Sequence, residues 1–326
     1  MRTQVHAAVG ELPSYADVEA AATLIAPHVH RTPVVTSASL DRAAGATLFF
    51  KCENLQRVGA FKMRGAANAV WSLTDDEARH GVVTHSSGNH GAAVARAATQ
   101  RGIPSWVVMP DNAPKAKRRA VEEMGATVVA CEPTLAAREA TAARLLAETG
   151  ALLLHPYADP RVIAGQGTAA RELLEEVPDV DLVVTPVGGG GLLAGTAIAT
   201  AALAPHAEIW GAEPSGADDA RRSLAAGRVV PVDSPRTVAD GLRATIGELP
   251  LAILLAHGAR IAAVDDAATL AAMRLFWERT KLVVEPSAAV PIAALLARAI
   301  SADGRRVGVI VSGGNLDLPD ALFALS

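Results

Sequence analysis

The sequence predicts an α/β protein built from two mostly parallel sheets flanked by helices. Short Val- and Ile-rich runs recur along the chain between longer helical stretches, as strands buried on both faces alternate with helices. Half of the 326 residues are hydrophobic and only 3% are aromatic, which suits close-packed α/β layers more than a β-sandwich. Two of the runs pass directly into glycine-rich turns and then helices, the arrangement that puts ligands at the carboxyl edge of a parallel sheet.

In chain order the predicted strands are Gly81-Val82-Val83-Thr84, Trp106-Val107-Val108-Met109, Thr127-Val128-Val129-Ala130, Leu182 to Val187, Ile209-Trp210-Gly211-Ala212 and Val307-Gly308-Val309-Ile310-Val311. Helices are predicted at stretches such as Gly91 to Gln100 and Asp266 to Arg279. Val82-Val83-Thr84 enters the turn Ser86 to Gly91, and Val183-Val184-Thr185 enters Gly188 to Gly191. Two such edges in separate regions predict two domains facing across a cleft. A net charge of −4 offers no basic surface for nucleic acid or an anionic membrane. Two cysteines, Cys52 and Cys131, make no disulfide framework and point to a reducing compartment. Met1 to His6 lacks the apolar core of a signal peptide, and Gly, Pro or charge breaks every apolar run before membrane-spanning length. A soluble, cytoplasmic chain is expected.

The chemistry centres on Lys62, in Gly59-Ala60-Phe61-Lys62-Met63-Arg64-Gly65. A lysine flanked by glycine, with two downstream loops suited to cradling anions, is what a covalently held phosphate cofactor requires: the amine forms a Schiff base and backbone N–H groups at a helix start hold the phosphate. That combination points to pyridoxal phosphate. Consecutive glycines let the chain approach a dianion without Cβ interference, so Gly188, Gly189, Gly190 and Gly191 are the predicted phosphate loop, with Leu192 opening the helix behind it. A competing reading takes Gly189-x-Gly191-x-x-Ala194 and Glu213 as a dinucleotide fingerprint, but it leaves Lys62 and the turn at Asn89 unexplained. Asn89, Ser86 and Ser87 have a plainer reading as helix caps.

Lys51-Cys52-Glu53-Asn54-Leu55-Gln56 running into Gly59 to Ala66 resembles the lysine motif of the serine/threonine dehydratases. His85-Ser86-Ser87-Gly88-Asn89-His90-Gly91, Pro186-Val187-Gly188-Gly189-Gly190-Gly191 and Ser312-Gly313-Gly314-Asn315 follow in that family's order, so the resemblance spans about His30 to Asn315. It implies a tryptophan-synthase-β-like fold of type II. A small domain at 57–157 would be inserted in a large cofactor-binding domain at 1–56 and 158–326. It also implies a homodimer, with no regulatory domain in the short stretch after Ser312.

By the same resemblance Lys62 carries the cofactor and removes the substrate α-proton, Phe61 lies beside the ring, and Asn89 donates to its phenolic oxygen. Ser312 faces the ring nitrogen, where a hydroxyl leaves the ring a weaker electron sink than an aspartate would. That favours prompt expulsion of a β-leaving group. Ser86, Ser87, Gly88, Asn89 and His90 receive the substrate carboxylate, with Ser87 as acid/base opposite the lysine and His90 more plausibly a packed histidine. Arg138 falls where it could admit a β-carboxylate, though a helix-surface arginine is an equal reading.

The expected reaction is elimination from L-threonine or L-serine, giving a 2-oxo acid and ammonia. Serine racemisation with side elimination and 3-hydroxyaspartate dehydration are the alternatives. Ala60, Ala244 and Arg57 depart from serine-racemase-like sequences and speak against racemase specificity and nucleotide activation. Glu213-Pro214-Ser215-Gly216-Ala217-Asp218-Asp219 crowds three carboxylates into one turn, a repulsion that a hard cation would relieve. The resemblance names Glu213, the carbonyl of Ala217 and Asp219 as ligands of Mg²⁺ or Ca²⁺. An acidic helix start, or a ribose-binding Glu213, is the rival reading.

Overall fold

The computed structural model describes residues 11–86, 88–113 and 115–317. Among them ten strands occur: β1 (Val34–Val35), β2 (Thr47–Cys52), β3 (Val82–His85), β4 (Ser105–Pro110), β5 (Thr127–Cys131), β6 (Leu152–Leu153), β7 (Leu182–Pro186), β8 (Glu208–Pro214), β9 (Arg260–Val264) and β10 (Arg306–Val311). They form a six-stranded sheet in the order β1-β2-β10-β7-β8-β9 and a four-stranded sheet in the order β5-β4-β3-β6. Every pairing is parallel except that of the short β1 with β2. The chain therefore leaves the larger sheet after β2, builds the smaller one, and re-enters the larger at β7.

All six predicted strands are present, with bounds moved by one or two residues. Every residue of β3 and of β7 is buried, which is why these runs show no alternation. The strands that pattern does not reveal have physical reasons to hide. β1 and β6 are two residues long, β9 is alanine-rich and reads equally well as helix, and β2 carries Lys51 in its interior.

The main apolar cluster joins the larger sheet to its helices, with Phe50 of β2 edge-on to Phe276 at 5.1 Å. A second cluster, including Met63, Val70, Val94 and Leu154, ties the helix Lys62–Trp71 to the smaller sheet. The same helix packs against the helix Pro160–Glu176, so it is wedged between the two halves of the molecule. No helix among the described residues is long and apolar enough to cross a membrane.

The wedge is fixed by charge. Arg64, fully buried, donates from Nε and Nη2 to Glu53 at 2.7 and 2.8 Å and from Nη1 and Nη2 to Glu172 at 2.8 Å each. Lys51 Nζ lies 2.6 Å from Glu172 and donates to the Thr32 carbonyl. Burial by itself pushes the Glu172 carboxyl up, but Arg64 and then Lys51 hold it below the ordinary carboxylate range. Burial pulls Lys51 down against the attraction of Glu172, so the centre of this network is Arg64 between two carboxylates.

Candidate active site

Lys62 is the first residue of the helix Lys62–Trp71, with Phe61 as its N-cap. A cation is disfavoured at that end of a helix, and the chain holds it there by docking the preceding turn on the end of β10. Phe61 N–H donates to the Ser312 carbonyl at 3.0 Å, Gly314 N–H to the Gly59 carbonyl at 2.9 Å, and Ala60 pairs with Gly313. Gly59 sits at φ +69, and a Cβ there would come within 2.4 Å of the Asn315 side chain. Only glycine closes this turn.

The Lys62 ammonium donates to the Pro156 carbonyl at 2.7 Å and lies 5.2 Å from the centre of the Phe61 ring. The side chain as a whole is half-buried, but its amine is out of water. That desolvation brings its pKa down to about 8.

The tetraglycine loop leads into the helix Gly191–Leu203, with Gly190 at φ +90 as N-cap. The N–H groups of Gly191, Leu192 and Leu193 open this helix and have no preceding turn to accept them. A Cβ at Gly189 would come within 2.3 Å of the Tyr157 ring, one at Gly190 within 2.7 Å of Pro250, and one at Gly191 within 3.0 Å of the Tyr157 backbone. The loop thus presents backbone alone, with Tyr157 closing one side. A desolvated amine and a side-chain-free helix start fit pyridoxal phosphate in both its functional groups.

Ser312 follows β10 and is buried, beside the turn that carries Lys62. Asn89 opens the helix Asn89–Arg101 immediately after its N-cap, Gly88, so it is not the cap itself. Its amide donates to both oxygens of Glu285, at 3.0 and 3.2 Å, while its own oxygen accepts from Asn315 at 2.9 Å. The expected donation to a phenolic oxygen must therefore share the Asn89 amide with Glu285. A Cβ at Gly88 would meet nothing within 4 Å, so this glycine faces open space.

Ser86 Oγ accepts from Gly88 N–H at 3.3 Å, and Ser87 lies outside the described residues. His90 is buried, with Nε2 3.3 Å from the Leu154 carbonyl and Nδ1 without a partner among the described residues. Burial, then the charge of Lys62, pulls its pKa well down, which fits a packed neutral histidine.

Arg138 lies half-buried on the helix Leu135–Thr149, and its Nε is buried with no partner among the described residues. After burial, its charge is what most lowers His85, the last residue of β3. Arg138 is thereby brought to the flank of the site.

Sequence reasoning passed over His155, Tyr157 and Glu285. The first two lie in Leu154-His155-Pro156-Tyr157, where a strand ends in two ring residues around a proline, and that was the available signal. Burial, then His85 and Lys62, lowers His155 to about 4, and burial raises Tyr157. Glu285 precedes Pro286 at the start of the helix Pro286–Leu296 and accepts Asn315 N–H at 3.2 Å.

Further along, Glu213 lies next to the end of β8 with its carboxylate accepting N–H from Ala220 and Arg221 at 3.2 and 2.9 Å. Asp219 accepts Ile246 N–H at 2.8 Å, and Asp218 is taken up by Arg221 and Arg222. Glu213, Ala217 and Asp219 are all buried. Burial, with the charges of Asp219 and Asp218 adding, pushes Glu213 up to about 8 despite its two N–H bonds, and burial raises Asp219 too. Among the described residues no three His, Cys, Asp or Glu side chains gather as a metal cage. Two buried carboxylates, both raised by burial and Glu213 also by the charge of Asp219, are a donor set whose cost a hard cation would relieve.

A family model described as pyridoxal-phosphate dependent enzyme matches residues 25–313. The chain is 50% identical over 307 residues to a beta-hydroxyaspartate dehydratase of Paracoccus denitrificans, covering 94% of this chain and 98% of that protein. The structure of maize serine racemase superposes with a TM-score of 0.93 at 44% identity, covering 96% of each chain. The structure of a T.th. threonine deaminase superposes at 0.88 and 44% identity, covering 94% of this chain and all (100%) of that one. With a lysine turn, a glycine cradle and relatives that run the length of the chain, this protein belongs to the pyridoxal-phosphate-dependent enzymes of the serine/threonine dehydratase type.

Proposed function

We propose that this chain is an ammonia-lyase that dehydrates 3-hydroxyaspartate, giving the four-carbon 2-oxo diacid and ammonia. The observation that carries the choice of a diacid is Arg138, whose buried Nε has no partner among the described residues and whose charge reaches His85 and Tyr157. A half-desolvated guanidinium with an open donor is suited to a carboxylate. The Paracoccus relative named for this substrate supports the reading. Threonine and serine, which the sequence alone ranks first, remain the second reading, supported by the likeness to threonine deaminase.

Lys62 Nζ would hold the cofactor, the N–H groups of Gly188 to Leu192 its phosphate, and Ser312 its ring nitrogen. Bound pyridoxal phosphate supplies the electron sink for loss of the α-proton. Lys62 Nζ would take that proton from Cα on one face, since burial favours the neutral form of its amine. Ser87 would serve the opposite face, and the N–H groups from Ser86 to His90 would receive the α-carboxylate. Arg138 would take the β-carboxylate and so orient the β-hydroxyl for departure.

Arg138→Met keeps the stem and removes the charge. It is expected to lower kcat/KM on 3-hydroxyaspartate by about 10²-fold while changing threonine turnover much less. Coupled assay of 2-oxo acid formation on both substrates checks this. An equal loss on both, or a parent that does not consume 3-hydroxyaspartate, removes the diacid reading.

Mg²⁺ or Ca²⁺ is proposed at Glu213, Asp219 and the Ala217 carbonyl, away from substrate. Removing it with EDTA is expected to lower melting temperature and activity together, with either ion restoring both. If exhaustive EDTA treatment moves neither quantity and Asp219→Ala behaves like the parent, no such ion is bound.

A further inference from the structure

On the flank of the site where Tyr157 meets the glycine cradle, one ring is held in a fixed protonation form by its neighbours. His155 lies between β6 and the helix Pro160–Glu176, and its Nδ1 accepts two backbone N–H bonds, from Tyr157 at 3.4 Å and Ala158 at 3.0 Å. A nitrogen that accepts cannot carry the proton, so the neutral ring bears it on Nε2. The ring stands edge-to-face with Tyr157 at 4.6 Å and with His85 at 5.5 Å. The next residue, Pro156, offers the carbonyl that accepts from Lys62 at 2.7 Å. His155 is thus a neutral donor of set tautomer beside the lysine, on the side where Arg138 reaches His85 and Tyr157.

We infer that His155 is a specificity-determining residue, its Nε2–H donating to the β-carboxylate of the substrate beside Arg138. This rests on the diacid reading above. A carboxylate has more acceptor sites than one guanidinium fills, and a neutral donor adds a directional bond without adding charge beside Lys62. A second cation there would oppose protonation of the Lys62 amine when it takes the α-proton. A neutral imidazole does not. Its pKa of about 4 keeps it neutral across the working range.

Two substitutions separate the ring's two ends. In His155→Asn the side-chain oxygen still caps the N–H groups two and three residues on, as Asx turns do, but the Nε2 donor is gone. In His155→Gln the amide reaches toward the Nε2 position and keeps a donor. With the cofactor-loaded enzyme, His155→Asn is expected to lower the ratio of kcat/KM for 3-hydroxyaspartate over threonine by about 10-fold or more, mostly through KM for the diacid. His155→Gln is expected to recover most of that ratio. A parent that turns over 3-hydroxyaspartate while His155→Asn leaves the ratio unchanged overturns the role of His155 alone. So does an equal fall on both substrates, or a Gln variant no better than Asn. A parent inactive on 3-hydroxyaspartate overturns the diacid reading, and the role of His155 with it.

Discussion

Lys62→Ala is expected to abolish covalent attachment of pyridoxal phosphate and to lower turnover by about 10⁴-fold or more, with the fold intact. The amine both anchors the cofactor and takes the α-proton, so one truncation removes both roles. Its surroundings explain why this lysine, and no other, should do so. The turn before it is docked on β10 by Phe61, Ala60 and Gly59, and its Nζ is desolvated against Pro156. Borohydride reduction followed by peptide mapping checks the assignment, and a pyridoxyl label on another lysine would refute it. The amine's environment is testable in the cofactor-free parent as well. Only the neutral amine attacks an aldehyde, so attachment should rise with pH through a midpoint near 8. A midpoint near the solvated-lysine value of about 10 would show that the amine is not desolvated.

Arg64→Met is expected to destabilise the protein by about 3–5 kcal/mol, because it leaves Glu53 and Glu172 buried without their shared cation. For a chain of this size that corresponds to a fall in melting temperature of roughly 4–7 °C. The pH dependence carries a sign. Glu172 is held below its ordinary value in the parent, so its contribution is present above the unfolded carboxylate pKa and lost as pH falls through the lowered one. Without Arg64, burial pushes the Glu172 carboxyl up with only Lys51 to oppose it. The gap between parent and variant should therefore close on acidification and be widest near neutrality. Thermal melts of both proteins from acid to neutral pH test this, and parallel curves would mean that the network is not ionised as described.

Much of this was readable from the chain because the informative features are backbone features. Glycine at 59, 189 and 190 is demanded by positive φ or by a neighbour too close for a Cβ, and such demands leave a mark in sequence. Buried parallel strands leave another, as uninterrupted Val and Ile. What stayed hidden depends on partners distant in sequence. Lys51 and Arg64 look like surface charges until Glu172, from another helix, meets them in the interior. His155 and Tyr157 carry no spacing of their own. Their meaning comes from Lys62, Gly189 and His85, which the fold brings beside them. For Asn89 the neighbourhood is legible but the bond is not, since Glu285 lies 196 residues away and no local pattern announces it.

The order of the larger sheet has a consequence for how the molecule is made. β10, the last strand among the described residues, lies between β2 and β7, and the residues just after it hold the Lys62 turn in place. As the polypeptide leaves the ribosome, the lysine emerges before the glycine cradle. The seam that fixes one against the other emerges after both. The nascent chain must therefore wait with a gap in its larger sheet, exposing the apolar flanks of β2 and β7, until residues 306–315 thread between them. Cofactor capture accordingly waits for that strand, and a chain stalled before it holds Lys62 and the glycine cradle without Ser312 or the seam that joins them.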